Sequence, residues 1–332
     1  MPASGRMTAC WASTAAARWR VRVTALHMST NAATRRLRRR LLPLHAGVAL
    51  QGFMLWLPIE KLFMSEIGFD AAAVGLMAAA YAAIVPLIEV PSGILADRWS
   101  RRGVLVVASV ALAVCALVGG LSHGVAAYIA AALVLGVYFA MYSGTVDAMV
   151  YDTVVEETGD GADFERRIGR VRFIESVSLV VSSLAGGWVA SLLSTRVTYF
   201  LTIPFALLSI VAYLRFREPR LHRAEEFVPL RRQVAMTFDA LTRRRRLLPV
   251  IALAVLAGVL LQTVFEFGPL WLVAVTAPAV LFGPYWVALM STLGIGGLLA
   301  ARIDFGRPRT LLGIGGLTTL AAVALTSTRA SC

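Results

Sequence analysis

Long apolar segments follow one another along this chain from Leu41 to about residue 327, separated by short polar breaks. A soluble core does not need a series of runs of about 18 or more apolar residues, whereas a bilayer requires about 20 per spanning helix. Hydrophobic residues make up 58% of the 332 residues and charged residues 15%, against roughly 45–50% and 25% in soluble proteins. The sequence therefore predicts an all-α polytopic membrane protein.

The apolar segments predict nine membrane-spanning helices, with ends placed to within about four residues. The predicted spans cover residues 42–60, 72–96, 104–121, 125–150, 171–193, 198–215, 247–272, 280–301 and 310–327.

Basic residues are concentrated between the apolar segments. With a cytoplasmic N-terminus, 25 basic residues from Arg35 onward fall on the cytoplasmic side, against Lys61, Arg196 and Arg329 on the outer side. Because positive charge stays on the cytoplasmic side, we expect this orientation in the plasma (inner) membrane. The same clustering excludes nucleic acid as a partner despite the net charge of +13, since such binding needs a basic surface with interleaved aromatics.

Residues 1–40 contain no acidic residue and are rich in Arg, Ser, Thr and Ala. This composition predicts a basic cytoplasmic tail. Two alternatives stay open, an organellar transit peptide and a translation start at Met28.

Cysteines and histidines are scattered too widely to form a metal site. Cys10, Cys115 and Cys332 stand singly, and the four histidines fall in four different segments. Zinc sites and disulfide frameworks require closer spacing. An intramembrane enzyme would need clustered His, Ser or paired Asp at one depth, and the sequence has no such cluster. We therefore expect no metal, no cofactor and no enzymatic activity.

An internal repeat divides the chain into two halves. The sequence of Gly93–Arg98 (Gly-Ile-Leu-Ala-Asp-Arg) returns at Gly297–Arg302 (Gly-Leu-Leu-Ala-Ala-Arg), an offset of 204 residues. The same offset carries the starts of the first and third predicted spans onto those of the seventh and ninth. We predict an N-terminal six-helix bundle over 41–215 and the first three helices of a C-terminal bundle over 247–327.

The two predicted bundles are joined by a polar linker, residues 216–246. It carries a predicted basic amphipathic helix on the inner membrane face. The apolar positions of that helix recur at intervals of three and four, at Phe227, Leu230, Val234, Phe238 and Leu241.

The second half is shorter than the first. A full second copy would end at about residue 419. We therefore interpret residues 328–332 as the end of a C-terminally truncated chain. The alternative is a natural nine-helix protein.

The polar turn between the second and third predicted spans carries the clearest functional pattern. Residues 93–102 read Gly-Ile-Leu-Ala-Asp-Arg-Trp-Ser-Arg-Arg. This resembles the loop signature of the major facilitator superfamily of secondary transporters, which runs Gly, three residues, Asp, a basic residue, one residue, Gly and two basic residues. The matching positions are Gly93, Asp97, Arg98, Arg101 and Arg102.

The resemblance implies that this turn is a conformational latch between the two halves. Ion pairs at helix ends hold one conformation and break in another. The alternative is that the arginines only anchor the loop in the cytoplasm. Ser100 stands where the family usually has Gly, which weakens the expected turn geometry, although Ser is tolerated in turns.

Asp147 lies near the end of the fourth predicted span. The segment around it, residues 142–152, resembles the corresponding segment of superfamily exporters. Its carboxylate is placed to join the latch by pairing with Arg101. The alternative is that it caps the helix end beside Arg166, Arg167 and Arg170.

Glu89 is the candidate for proton coupling. It lies eight residues before Asp97, about 12 Å from the inner end of the helix. Because an ionised acid at a span centre costs roughly 2.5–3.5 kcal/mol, it should face a cavity or bind a proton. The alternative is a hydrogen bond to backbone freed by Pro91.

Six side chains within the spans are candidates for a solute cavity. Gln262 and Glu266 lie one turn apart on one helix face. The aromatic residues among the six could complete an amphipathic pocket for a partly apolar solute. The alternative is that they only pack between helices. Glu60 and Lys61 are instead predicted to be interface anchors that snorkel. The six candidates are Gln51, Trp56, Tyr138, Tyr142, Gln262 and Glu266.

The sequence thus predicts transport of a small solute by alternating access, as in a proton-coupled secondary transporter acting as a monomer in the bilayer. Efflux, as in an antiporter, is one direction that the pattern allows. The alternative is a truncated membrane protein that transports nothing.

Overall fold

A computed structural model describes residues 35–219 and 248–300 of the chain. All regular elements within these ranges are helices, as predicted. The helices are α1 (35–51), α2 (Glu60–Glu66, after a 3-10 turn at Leu57–Ile59), α3 (Ala71–Arg98), α4 (Arg101–Leu121), α5 (Val125–Thr158), α6 (Phe164–Leu192), α7 (Thr195–Arg215), α8 (Leu248–Ala274) and α9 (Phe282–Ala300), with a second 3-10 turn at Ala279–Leu281.

Helices α3 to α7 are each long and apolar enough to cross a membrane, and α8 and α9 contain shorter apolar segments. This confirms the predicted polytopic membrane fold. The basic tail before residue 35, the amphipathic helix of the linker, the last two residues of the repeat at 301–302 and the ninth predicted span lie outside the described residues.

The first predicted span, 42–60, is not one helix. The chain leaves α1 after residue 51 and re-enters helical structure only at Leu57. A side chain at Gly186 would collide with the Leu55 carbonyl, so glycine allows the broken segment to lie directly on α6. The Leu55 amide is satisfied by donating to Thr202 Oγ1 at 3.1 Å. Non-helical backbone is tolerated at membrane depth where protein buries it in this way.

Short polar side chains begin three of the helices. Asp70 accepts a hydrogen bond from the Ala73 amide at 2.7 Å, and Ser194 accepts one from the Val197 amide at 3.3 Å. Ser100 caps α4 in the same manner. Such caps satisfy amides that the first helical turn leaves without a partner, which explains why the chain breaks at these polar positions.

Helix α4 lies at the centre of the packing, against α5 and α7, and α3 packs against α5. Helices α1 to α8 belong to one compact unit that ends at Pro284, and a second unit begins at Tyr285.

Polar contacts define two ends of the first unit. At the end that we call the signature end, Arg40 of α1 pairs with Glu157 at 2.8 Å and donates to the Arg217 carbonyl after α7 at 3.3 Å. At the opposite end, the Thr195 hydroxyl donates to Glu66, which joins the start of α7 to the end of α2. The turn between α3 and α4, which carries the signature, lies at the signature end.

Candidate functional site

Ser100 shapes the signature turn. Its backbone is extended, with φ −174°, so glycine is not required there. Its hydroxyl accepts a hydrogen bond from the Gly103 amide at 2.9 Å and donates to Glu218 at 2.7 Å. The expectation that Ser100 weakens the turn is therefore wrong, because the serine adds a helix cap that glycine could not supply.

Glu218 binds the start of α4 from the segment that follows α7. Its carboxylate accepts from the Arg101 amide at 2.6 Å as well as from the Ser100 hydroxyl. A negative charge at a helix N-terminus is favoured by the exposed amides and by the helix dipole. The first residues of the linker are thus fastened to the signature turn.

Replacement of Ser100 tests this cap. We expect Ser100→Ala to lower the free energy of unfolding by about 1 kcal/mol and Ser100→Gly by less, because glycine is the better N-cap of the two. Thermal unfolding of the purified full chain measures both. Equal stability of Ser100→Ala and the wild type would contradict the cap.

Arg101 forms an ion pair with Asp152 of α5, and the Asp152 side chain is only 6% exposed. Arg102 donates to the Phe216 carbonyl at 3.4 Å. Gly93 lies at an exposed position of α3. The side chains of Asp97 and Arg98 lie outside what the structure describes, so the latch role of the signature stays a prediction.

The predicted pairing of Asp147 with Arg101 is wrong. Both Asp147 oxygens accept from Arg172 Nη2 of α6, at 2.7 and 2.9 Å. Helix α5 runs to Thr158, well past its predicted end at residue 150, and places Asp152 within the helix. Asp147 and Asp152 are five residues apart and point about 140° apart around the helix axis. Asp152 therefore takes the place beside Arg101.

Arg172 is the centre of a polar network on α5 and α6, which we call the Arg172 network. Arg172 Nη1 donates to Glu175 Oε2 at 2.9 Å, and the Tyr142 hydroxyl donates to the other Glu175 oxygen. The Asp147 and Arg172 side chains are 42% and 47% exposed. The network comprises Asp147, Arg172, Glu175 and Tyr142.

Tyr138 and Tyr142, two of the predicted cavity residues, are both buried. Their rings stack at 5.5 Å between centroids. Tyr142 connects this stack to the Arg172 network through Glu175, so an aromatic surface and an ionic group are adjacent on the same pair of helices.

Glu89 is exposed on α3. The polar contact next to Pro91 is made by Ser92, whose hydroxyl donates to the Glu89 carbonyl at 2.9 Å and to the Ala140 carbonyl at 3.0 Å. The carbonyl that Pro91 leaves without a donor belongs to Leu87 and is neither of these two. Proton coupling through Glu89 stays a prediction.

Gln51 does not line a cavity, contrary to the prediction. It is 1% exposed. Its amide nitrogen donates to Ser109 Oγ of α4 at 2.9 Å, and its amide oxygen accepts from the Tyr213 hydroxyl of α7 at 2.7 Å. Ser209 of α7 donates to the same Ser109 oxygen at 2.8 Å. Gln51 therefore ties three helices together.

Replacing Gln51 by leucine is expected to destabilise the bundle without changing solute specificity. The change deprives Ser109 and Tyr213 of their shared partner, at roughly 0.6–2 kcal/mol for hydrogen bonds in this environment. Unfolding in a graded denaturing detergent measures the loss. A Gln51→Leu chain as stable as the wild type would show that the network does not hold these helices.

Trp56 is also a packing residue rather than a cavity residue. It is 1% exposed and stacks on Tyr199 of α7, with 5.2 Å between ring centroids. Stacked aromatics of this kind fill space between helices. The alternative that the sequence left open for the aromatics is the correct one for Trp56.

Lys61 is buried, not an interface anchor. Its side chain is 2% exposed and lies between two carboxylates, at 3.0 Å from Glu60 Oε2 and 2.6 Å from Glu266 Oε2. Gln262 donates to the other Glu266 oxygen at 3.1 Å, which confirms that these two residues share a helix face. Paired in this way, the ammonium has no need to snorkel to water. We call Glu60, Lys61, Gln262 and Glu266 the Lys61 cluster.

An open cleft of about 530 Å³ lies at the signature end. Its lining is charged and contains none of the six predicted cavity residues, so it differs from the expected amphipathic pocket. The lining residues are Arg40, Glu156, Glu157, Arg217 and Glu218.

Residues 41–331 match the sequence profile of the Major Facilitator Superfamily. The chain belongs to this superfamily. This match confirms the family that the signature turn predicted, a family of multi-pass membrane transporters.

Multidrug resistance protein 1 of Bacillus subtilis (strain 168) is 25% identical to this superfamily member over 173 residues, 52% of this chain and 43% of that protein. A crystal structure of a bacterial homologue of the human lysosomal transporter Spinster, inward-facing and unoccupied, aligns with TM-score 0.62 and 15% identity over 82% of this chain and 64% of that one. The nucleoside transporter NupG aligns with TM-score 0.56 and 16% identity over 71% and 57%. The two structures share the fold with this chain, and the chain spans less than two thirds of each relative.

Four residues of this superfamily member make charged contacts that the sequence did not predict. They are Asp152, Arg172, Glu175 as an ion-pair partner, and Glu218. The Arg172–Glu175 spacing of three residues on one helix was an available signal. The Asp152 and Glu218 contacts join residues 51 and 117 positions apart and had no local signal. Among the described residues, no group of three or more His, Cys, Asp or Glu side chains could hold a metal ion.

Proposed function

We propose that this superfamily member moves a small, partly apolar solute across the membrane by alternating access, coupled to protons. The observation that carries the proposal is a set of three acids at similar depth on three helices, Glu89 on α3, Asp147 on α5 and Glu175 on α6. At 1.5 Å per residue they lie about 26–33 Å from the ends of their helices opposite the signature turn. Acids within spanning helices mark solute and proton pathways.

The charge of this set indicates the class of solute. Arg172 contacts both Asp147 and Glu175, which leaves the Arg172 network with one excess negative charge next to the stacked rings of Tyr138 and Tyr142. Such a surface favours a solute that is cationic and partly aromatic, through both charge and ring contacts. The name of the Bacillus subtilis relative, a multidrug resistance protein, agrees with a partly apolar solute and with export.

We also propose a plasma-membrane location with the signature end and the N-terminus in the cytoplasm. The count of 25 basic residues on that side against three on the other supports this orientation. We further propose that the chain acts as a monomer, with the solute, protons and lipid as its partners and no cofactor.

Transport by the full chain in liposomes tests the proposal. Ethidium, a fluorescent and partly apolar cation, is expected to move faster into or out of the liposomes when a pH gradient is imposed than without one. Uridine, which is neutral and polar, serves as the comparison solute and is not expected to move. Ethidium flux equal to that of protein-free liposomes under every gradient would support the alternative, a membrane protein that transports nothing.

A further inference from the structure

The charges of the Lys61 cluster do not balance. Two carboxylates, Glu60 and Glu266, share a single ammonium, and their side chains are only 12% and 15% exposed. The second oxygen of each carboxylate accepts from a neutral donor, the Tyr128 hydroxyl at 3.0 Å and the Gln262 amide at 3.1 Å. In a poorly solvated site, the Lys61 ammonium is therefore what allows both acids to stay ionised together.

The two acids depend on Lys61 in different ways. Glu60 precedes Lys61 in the chain, on the same short helix α2, and moves with it. Glu266 belongs to α8, and its bond to Lys61 bridges 205 positions of the sequence. Helices α2 and α8 pack against each other where this bond forms. A separation of the two helices therefore takes Lys61 away from Glu266 and leaves it with Glu60.

We propose that Glu266 is a proton-binding residue whose carboxylate exchanges Lys61 for a proton when α2 and α8 separate. The inference rests on the alternating access proposed above and adds a coupling residue to it. With the helices together, Glu266 Oε2 accepts a hydrogen bond from the Lys61 ammonium. On separation, a proton from solution bonds to the Glu266 carboxylate, while Lys61 keeps its own protons and stays paired with Glu60. When the helices close, the Glu266 proton returns to solution.

Among the described residues, none of the contacts given above for the Lys61 cluster offers Glu266 a replacement cation. Arg196 of α7 donates to the carbonyls of Gly120 and Ser122 and lies over the ring of Phe63. Other ionisable side chains in electrostatic contact with Glu60 or Glu266, among the described residues, include phenols and a thiol, which are neutral at physiological pH. These are Tyr81, Cys115, Tyr128 and Tyr199.

Infrared spectroscopy of the purified full chain tests the exchange without any solute. Lys61→Met removes the ammonium permanently, so we expect an additional protonated-carboxyl band at neutral pH relative to the wild type. The band should vanish in Lys61→Met combined with Glu266→Gln and persist in Lys61→Met combined with Glu60→Gln. No additional band, or a band that vanishes with Glu60→Gln instead, would overturn the proposal.

A distance measurement covers the case in which Lys61→Met does not fold. Spin labels at Ser65→Cys and Val275→Cys report the separation of α2 from the end of α8, with Cys10 and Cys332 replaced by serine and the buried Cys115 left in place. In an otherwise wild-type chain, the long-distance population should grow as the pH falls. Glu266→Gln, which resembles the protonated acid, should make that population independent of pH.

Glu266→Gln with the pH dependence of the wild type would contradict the assignment. Neither measurement requires transport, so a chain that fails to move ethidium can still pass or fail this test. Conversely, the chain could transport ethidium while its Glu266→Gln variant keeps the pH dependence of the wild type. That result would leave the proposed function in place and remove only Glu266 from the coupling.

Discussion

Replacing Glu89 by glutamine is expected to abolish ethidium flux driven by a pH gradient while leaving exchange of ethidium between the two sides intact. Glutamine keeps the size and polarity of the side chain but cannot take up or release a proton. Exchange of one solute molecule for another requires no net proton movement, so it does not depend on a titrating group. Ethidium flux in liposomes, with and without a pH gradient, separates the two modes.

Glu165→Gln is the matched control for this experiment. Glu165 is an exposed acid in the first turn of α6, at the signature end and outside the predicted span. The same chemical change there should leave both modes of transport unaltered. A Glu89→Gln chain with unchanged dependence on pH would exclude Glu89 from proton coupling.

The second large effect concerns the ion pair between Arg101 and Asp152. We expect Asp152→Asn to lower the free energy of unfolding by roughly 3 kcal/mol, because removing one member of a buried ion pair is strongly destabilising. The Asp152 and Arg101 side chains are 6% and 14% exposed, so water replaces little of the lost interaction. Unfolding of the full chain in a graded denaturing detergent measures the change.

Glu157→Gln provides the comparison at the same end of the molecule. It breaks the pair with Arg40 at 2.8 Å, but both side chains are more exposed than Asp152, and Arg40 keeps Glu156 as a second partner. A loss of less than about 1 kcal/mol is expected for such a pair. Equal losses for the two variants would show that burial does not distinguish these ion pairs.

The parts of the fold that depend on local pattern could be predicted from the sequence. Hydropathy located the helices because the bilayer imposes a length and a composition on each span. The position of the signature turn followed from the charges between two apolar runs. The extent of α5 could not be predicted this way, because the helix continues beyond the apolar segment that marked it, and so Asp152 was left out of the latch.

Contacts between distant parts of the chain decided the rest. Lys61 was expected at the membrane surface because its partner Glu266 lies 205 positions away and nothing nearby in the sequence indicates it. A polar residue in a span can either line a cavity or form hydrogen bonds to neighbouring helices. Gln51 was expected at a cavity because only the positions of Ser109 and Tyr213 distinguish these two roles. The break after α1 depends on the close approach of Gly186, which is a property of packing and not of the segment itself.

Measuring solute flux and proton flux at once tests whether this superfamily member couples solute movement to protons. Liposomes containing the full chain and an enclosed pH indicator are given an ethidium gradient with no initial pH difference. We expect ethidium movement to drive a proton flux, which is absent in protein-free liposomes and in Glu89→Gln. Ethidium movement through the wild-type chain with no accompanying proton flux would contradict this coupling.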